Sequence, residues 1–225
     1  MKLTAEQIIE IDETLVLNGL IYDDIKLEVT DHIASEIEAT MDDNSISFED
    51  AFKQAFESWK EQLRPSSSLW VDMKDAVPRI VLDKWILESK KKLLKGTLIG
   101  LILAIFFTIF EKIINNETVF TNIRAILKVV FILEFTFILV GKFLIWKSVQ
   151  KTFFGFIFQK QTKFAVLFLL FMLGIGAMPL ILVGPDLKVN LAGNFLFIVY
   201  IIWPIYYLQL AYKHFQFEKK LSISK

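Results

Sequence analysis

Residues 96–110 read GTLIGLILAIFFTIF, fifteen residues without a charge, bounded by Lys95 on one side and Glu111-Lys112 on the other. A helix rises about 1.5 Å per residue, so roughly 20 apolar residues cross the ~30 Å hydrocarbon core of a bilayer. Leu93 to Ile114 therefore reads as a membrane span whose flanking charges reach the headgroups. Three further stretches are long and apolar enough to match: Ile126–Trp146, Phe164–Val183 and Asn190–Tyr212, of which the last two carry no charge. The last lies within an uncharged run of twenty-four residues between Lys188 and Lys213. The spacing predicts four transmembrane helices.

The composition agrees. The chain has 225 residues, 54% of them hydrophobic and 14% aromatic, with 22 Phe. A soluble domain carries fewer apolar residues and far fewer Phe. Residues 1–64 hold 16 acidic and 5 basic residues, and residues 66–225 hold 9 acidic and 20 basic ones. Two differently built parts cancel to a net charge of zero. The acidic part reads as a small soluble domain (1–65) and the basic part as a membrane domain (96–213). Between them lies a linker and membrane-proximal segment (66–95), and a tail (214–225) closes the chain. The fold class expected is all-α: a three-helix soluble domain plus a four-helix transmembrane bundle. No Cys is present, which excludes disulfides, Cys metal sites and a thiol nucleophile.

Positive charge sets the orientation of membrane helices. Lys84, Lys90, Lys91, Lys92 and Lys95 precede the first span, and Lys147, Lys151, Lys160 and Lys163 separate the second from the third. Lys213, Lys219, Lys220 and Lys225 follow the fourth. The other side has Lys112, Arg124, Lys128 and Lys188. Both termini are therefore expected on the cytoplasmic side of the membrane. Met1 to Asn18 lacks the basic start and apolar run of a signal peptide, so the first span should act as an uncleaved anchor.

Helix signals organise the acidic part. Thr4-Ala5-Glu6-Gln7 fits a capping box, Ile8, Ile11 and Leu15 follow at helical spacing, and Asn18-Gly19 is a stop. A second helix begins at Asp23-Asp24, carries Ile25, Val29, Ile33 and Ile37, and ends near Met41. Ser47-Phe48-Glu49-Asp50 caps a third, which runs to Arg64-Pro65. A domain of about 64 residues is near the lower limit for folding alone, so some of its apolar surface is available to a partner or to the next helix. The stretch from Leu69 to Lys95 reads as helical, with a break at Pro78. Its Trp and Lys content suits a helix on the membrane surface, and a plain extension of the domain fits equally. Phe153–Phe158, flanked by lysines, reads as an interfacial dip, or else as an extension of the neighbouring spans.

The run Tyr22-Asp23-Asp24-Ile25-Lys26-Leu27-Glu28-Val29-Thr30-Asp31-His32-Ile33, then Glu36-Ile37-Glu38 and Ser47-Phe48-Glu49-Asp50-Ala51-Phe52, resembles the HAAS-type helical domain. That domain stands ahead of membrane helices in many bacterial proteins, and its name records an association with helix-turn-helix regulators, often PadR-like. The resemblance covers residues 1–65. It departs from the family at the third helix, which here runs through Trp59 and Leu63 to Pro65 instead of ending in a Leu-Gly turn. It implies a signalling or partner-docking module, not an enzyme, with Glu28, Asp31, His32, Glu36 and Glu38 on the docking helix.

Few residues could carry chemistry. Glu134 lies mid-span, where a carboxylate costs about 3 kcal/mol or more and faces the bundle. It reads chiefly as a hydrogen-bonding group for Tyr200, Tyr206, Gln209 or Thr108, and alternatively as an ion or proton site. His32 edges the apolar face of its helix and reads as a core-edge histidine bonded to a carboxylate or carbonyl. Asp42-Asp43-Asn44 fails the calcium-loop pattern, since Ser47 stands where Gly is needed and Lys53 where the bidentate Glu belongs. No catalytic motif, metal site or cofactor motif is apparent. The acidic surface repels nucleic acid and suits a basic cytoplasmic protein partner. Gly96 and Gly100 permit close helix packing, within the bundle or in a homo-oligomer. The expected function is non-enzymatic membrane signalling or regulation through a docked protein. A small transporter or transporter subunit using Glu134 is the alternative.

Overall fold

The computed structural model describes residues 2–68, 76–114, 116–174 and 191–223. Its described elements are helices joined by one two-residue strand pair, so the fold is all-α. Contacts divide it into two units, Met1–Glu88 with Val149–Phe153, and Ser89–Ser148 with Phe154–Lys225.

In the first unit, α1 (Ala5–Leu17) is closed at its start by the reciprocal capping box of Thr4 and Gln7. It ends at Asn18, and Gly19 follows at φ +84°, a conformation that costs glycine nothing. α2 (Asp23–Asn44) runs three residues beyond the expected end and stops at Ser45 in the left-handed region. α3 (Phe48–Leu63) starts at Ser47, whose Oγ accepts the Asp50 N–H. The box is not reciprocal here, because the Asp50 carboxylate takes the Ser47 hydroxyl instead of a backbone N–H. α2 lies between α1 and α3 and packs against both. Its four-residue stripe of Ile25, Val29, Ile33 and Ile37 is buried, as are Ile11 and Leu15 of α1 and Ala51 and Ala55 of α3.

β1 (Pro65–Ser66) pairs antiparallel with β2 (Val77–Pro78). The expected helix over 69–95 is thus corrected in part. Residues 69–75 lie outside the described residues, Val77 and Pro78 are extended, and α4 (Arg79–Ile114) begins after the proline. Proline fits there because it stands before the helix, where no intrahelical bond needs its N–H. Val77, Val81, Leu82 and Trp85 are buried in the first unit. They make this segment, up to Glu88, part of that unit.

The second unit contains the rest of α4, then α5 (Glu117–Lys147), α6 (Phe153–Gly174) from Phe154 onward, and α7 (Leu191–Ile223). An added Cβ on Gly96 would meet Tyr206, one on Gly100 would meet Val199, and Asn194 donates to Thr108. Rising numbers on α4 thus match falling numbers on α7, and the two are antiparallel. Gly141 lies near Ala211 and Ser148 donates to Glu218, so α5 and α7 run parallel. α6 starts at Phe153, shortly after α5 ends at Lys147, and Lys142 bonds Gln159, so α6 turns back along α5. Within this bundle Gly96 and Gly100 serve the α4–α7 contact.

Among the described residues, three segments are long and apolar enough to cross a membrane: Arg79–Phe110, Val129–Lys147 and Asn194–Ile223. Their outward side chains are apolar, such as Ile102 and Phe106, each 65% exposed. The expected third span lies partly in α6, and its residues 175–183 are outside the described residues. Phe153–Phe158 is continuous with the helix that carries the start of the expected third span. It forms the start of α6, and Phe153, Ile157 and Phe158 are buried in protein.

Candidate functional site

The five residues expected on a docking helix do not form one free acidic face. Glu28 bonds the Lys84 ammonium at 2.7 Å. Glu36 accepts the Trp59 indole N–H at 2.8 Å and the Ser58 hydroxyl at 2.9 Å. Glu38 accepts the backbone N–H of Leu3 at 2.9 Å. Three carboxylates are therefore turned to α4, α3 and the N-terminal strand of chain. Asp31 and His32 are exposed. His32 is not the core-edge histidine expected, because the buried stripe runs through Val29 and Ile33 and leaves position 32 outside it.

The surface left open is an apolar groove between the C-terminal end of α1 and α3, about 810 Å³ in volume. Leu17, Phe52, Phe56, Leu63 and Pro65 line it. Leu17 is 86% exposed, and the Phe52 and Phe56 rings pack together at 4.5 Å. Lys53 and Lys60 alternate with Glu57 and Glu61 along its rim. The groove exists because α2 separates α1 from α3, leaving the outer side of the α3 aromatic stripe without a helix on it. Periodicity alone gave the stripe but could not say which part of it α2 would leave uncovered.

A second cluster was not legible in the sequence. The Asp24 carboxylate accepts the Phe153 N–H at 2.7 Å and the Ile25 N–H at 3.1 Å. Asp23 exchanges two bonds with Lys151, donating its N–H to the Lys151 carbonyl and accepting the Lys151 N–H on its carboxylate. Asp23 and Asp24 read as helix-start charges for α2, and they also hold the segment 151–153 of the first unit. Burial pushes the Asp24 carboxyl above the ordinary carboxylate value. The N–H donors of Phe153 and Ile25 and the charge of Lys84 oppose this and are outweighed. The neighbouring Tyr22 phenol is pushed up by burial and by the Asp24 charge.

Glu134 lies on α5 between Phe131 and Ile138, both buried, so it belongs to the stripe facing the bundle. Its Oε2 is buried and finds no hydrogen-bond partner among the described residues. The expected partners are engaged elsewhere or turned away. Thr108 donates to Ala104 and accepts from Asn194, Tyr206 packs beside Gly96, and Gln209 is exposed. The Tyr200 side chain is outside the described residues.

Comparison of the chain with protein-family models, with curated proteins and with solved structures finds no match.

Proposed function

We propose that this chain is a four-pass protein of a bacterial cytoplasmic membrane, with both termini in the cytoplasm, and that its N-terminal helical unit docks a cytoplasmic protein in a non-enzymatic signalling or regulatory role. The open groove of α1 and α3 carries the reading. A floor of Leu17, Phe52, Phe56 and Leu63 with a rim of alternating charge suits one amphipathic helix laid apolar face down. The resemblance of residues 22–52 to the HAAS-type domain makes a PadR-like regulator the partner class. Lysines crowd the end of the bundle where α5 ends and α6 begins, which supports placing that end in the cytoplasm.

The test uses the intact protein in detergent and a purified PadR-like regulator from the same cell. Leu17→Glu puts a charge on the groove floor at a side chain 86% exposed, so the fold is untouched. Binding should fall at least about tenfold in Leu17→Glu and stay unchanged in Asp31→Asn. Equal binding by both variants would sink the groove as the docking site.

A second reading rests on the Glu134 Oε2, buried and without a hydrogen-bond partner among the described residues. A carboxylate so placed suits a proton or cation site of a small transporter or transporter subunit. Glu134→Gln would abolish proton-coupled flux in reconstituted vesicles under that reading, and would leave docking unaffected.

A further inference from the structure

We infer that the α5–α6 seam binds the phosphate of an anionic phospholipid between Lys142 and Lys163. The inference rests on the membrane placement proposed above. Lys142 Nζ is held by the Gln159 carbonyl at 3.0 Å, the Gln159 side-chain oxygen at 2.9 Å and the Thr162 hydroxyl at 3.4 Å. In return the Gln159 amide donates to the Lys142 carbonyl at 2.8 Å. All three acceptors are neutral. A partly buried ammonium is thus oriented with no carboxylate to balance it, and the Lys163 charge acts on it from the next helix. Lys163 follows Thr162, which Lys142 bonds, so the two ammoniums belong to one seam and an anion placed there is attracted by both. The acidic residues on the described helices of this unit are Glu111, Glu117, Glu134 and Glu218, and Glu111 and Glu117 lie at the α4–α5 connection, more than twenty residues before Lys142 on the chain. Glu134 stands about two turns further along α5, and Glu218 accepts the Ser148 hydroxyl.

The surroundings say what kind of anion fits. Around Lys142, the positions one turn away on one side are Ile138 and Ile145, which are buried. On the other side they are Leu139 and Trp146, which are 44% and 74% exposed. The ammonium therefore stands at the border between the packed seam and an apolar outer surface. A free phosphate has nothing to place on Leu139 and Trp146, whereas a lipid lays an acyl chain there. Lys142 is five residues from the end of α5, about 7.5 Å along the axis. That is roughly the thickness of one headgroup layer, so the ammonium reaches phosphate depth. A zwitterionic lipid brings its own cation toward Lys163, and an anionic one does not.

The test is native mass spectrometry and thermal unfolding of the intact protein in detergent, with added phosphatidylglycerol, phosphatidylcholine or inorganic phosphate. Two ammoniums near the surface correspond to about a thirtyfold preference for the anionic lipid over the zwitterionic one. Lys163→Gln, at an exposed side chain whose loss leaves the fold intact, should remove most of that preference. Lys142→Gln should remove the rest, while Lys213→Gln should keep it, since the ammonium of Lys213 on α7 sits over the Phe154 ring of α6. Equal binding of both lipids, a preference untouched in Lys163→Gln, or the same stabilisation by inorganic phosphate would each overturn the site. Release of the protein from membranes by alkaline carbonate would instead defeat the membrane reading itself.

Discussion

Glu36 shows how a residue's surroundings change its role. Read along the chain it is one acid among many on α2, yet it bridges to the Trp59 indole and the Ser58 hydroxyl of α3. Glu36→Ala leaves the indole N–H without its charged acceptor and should destabilise the protein by about 1–3 kcal/mol. Asp31→Ala, at an exposed position, should shift stability by less than about 0.5 kcal/mol. Thermal unfolding of the intact chain distinguishes the two. Asp24 makes a pH prediction. Its native carboxyl holds a proton more tightly than the unfolded chain does, whose value stays near 3.8. Its contribution to stability is therefore fully present below that value and lost as pH rises through the native one. Asp24→Asn, which can still accept both N–H groups, should match or exceed the parent near neutral pH, with the gap closing toward about pH 4. Asp24→Ala leaves two N–H groups unpaired and should cost about 1–3 kcal/mol at either pH. A parent that loses stability on acidification while Asp24→Asn does not would refute this assignment. Neither residue's partner was legible, because each lies on an element far away in sequence.

At the scale of elements, local signals place helix starts, whereas contacts between helices depend on residues far apart in the chain. Thr4 and Ser47 cap α1 and α3 where their side chains predict, since a cap joins neighbours within one turn. Pro78 was read as a break within a helix and instead stands just before one, because its extended partner is Pro65 on the other side of residues 69–75. The helix crossings are sensitive to single methyl groups. A Cβ on Gly100 would come within 2.9 Å of Val199 Cγ2, and Val is stiff at that bond. Gly100→Ala should therefore weaken the α4–α7 contact by about 1–3 kcal/mol. At Gly141 the nearest atom is Phe158 Cζ at 3.4 Å, an ordinary contact. Gly141→Ala should be neutral or stabilising, since alanine is favoured over glycine within a helix by about 1 kcal/mol. Unfolding midpoints in detergent that fall equally for both variants would contradict this packing.

At the scale of the whole molecule, the absence of Cys makes topology directly measurable. Single cysteines at Asp43 and Ser222 should react with a membrane-impermeant maleimide only after the cells are opened. One at Asn116 should react in intact cells. Labelling of residues 43 and 222 from opposite sides would rule out the four-pass arrangement. The described helices favour it, because α4 opposes α7 while α5 runs with α7, as successive crossings require.

The sequence by itself determined the all-α class, the position of the apolar helices and the segregation of charge. These follow from periodicity, run length and capping, which act over a few residues. Tertiary structure alone decided that Glu28, Glu36 and Glu38 bond within the protein, that Asp24 holds Phe153, and that the seam leaves Lys142 with neutral acceptors. It also decided that α2, by lying between α1 and α3, leaves a groove open. Each of these depends on side chains from helices separated by tens of residues, and no local pattern encodes which of them meet.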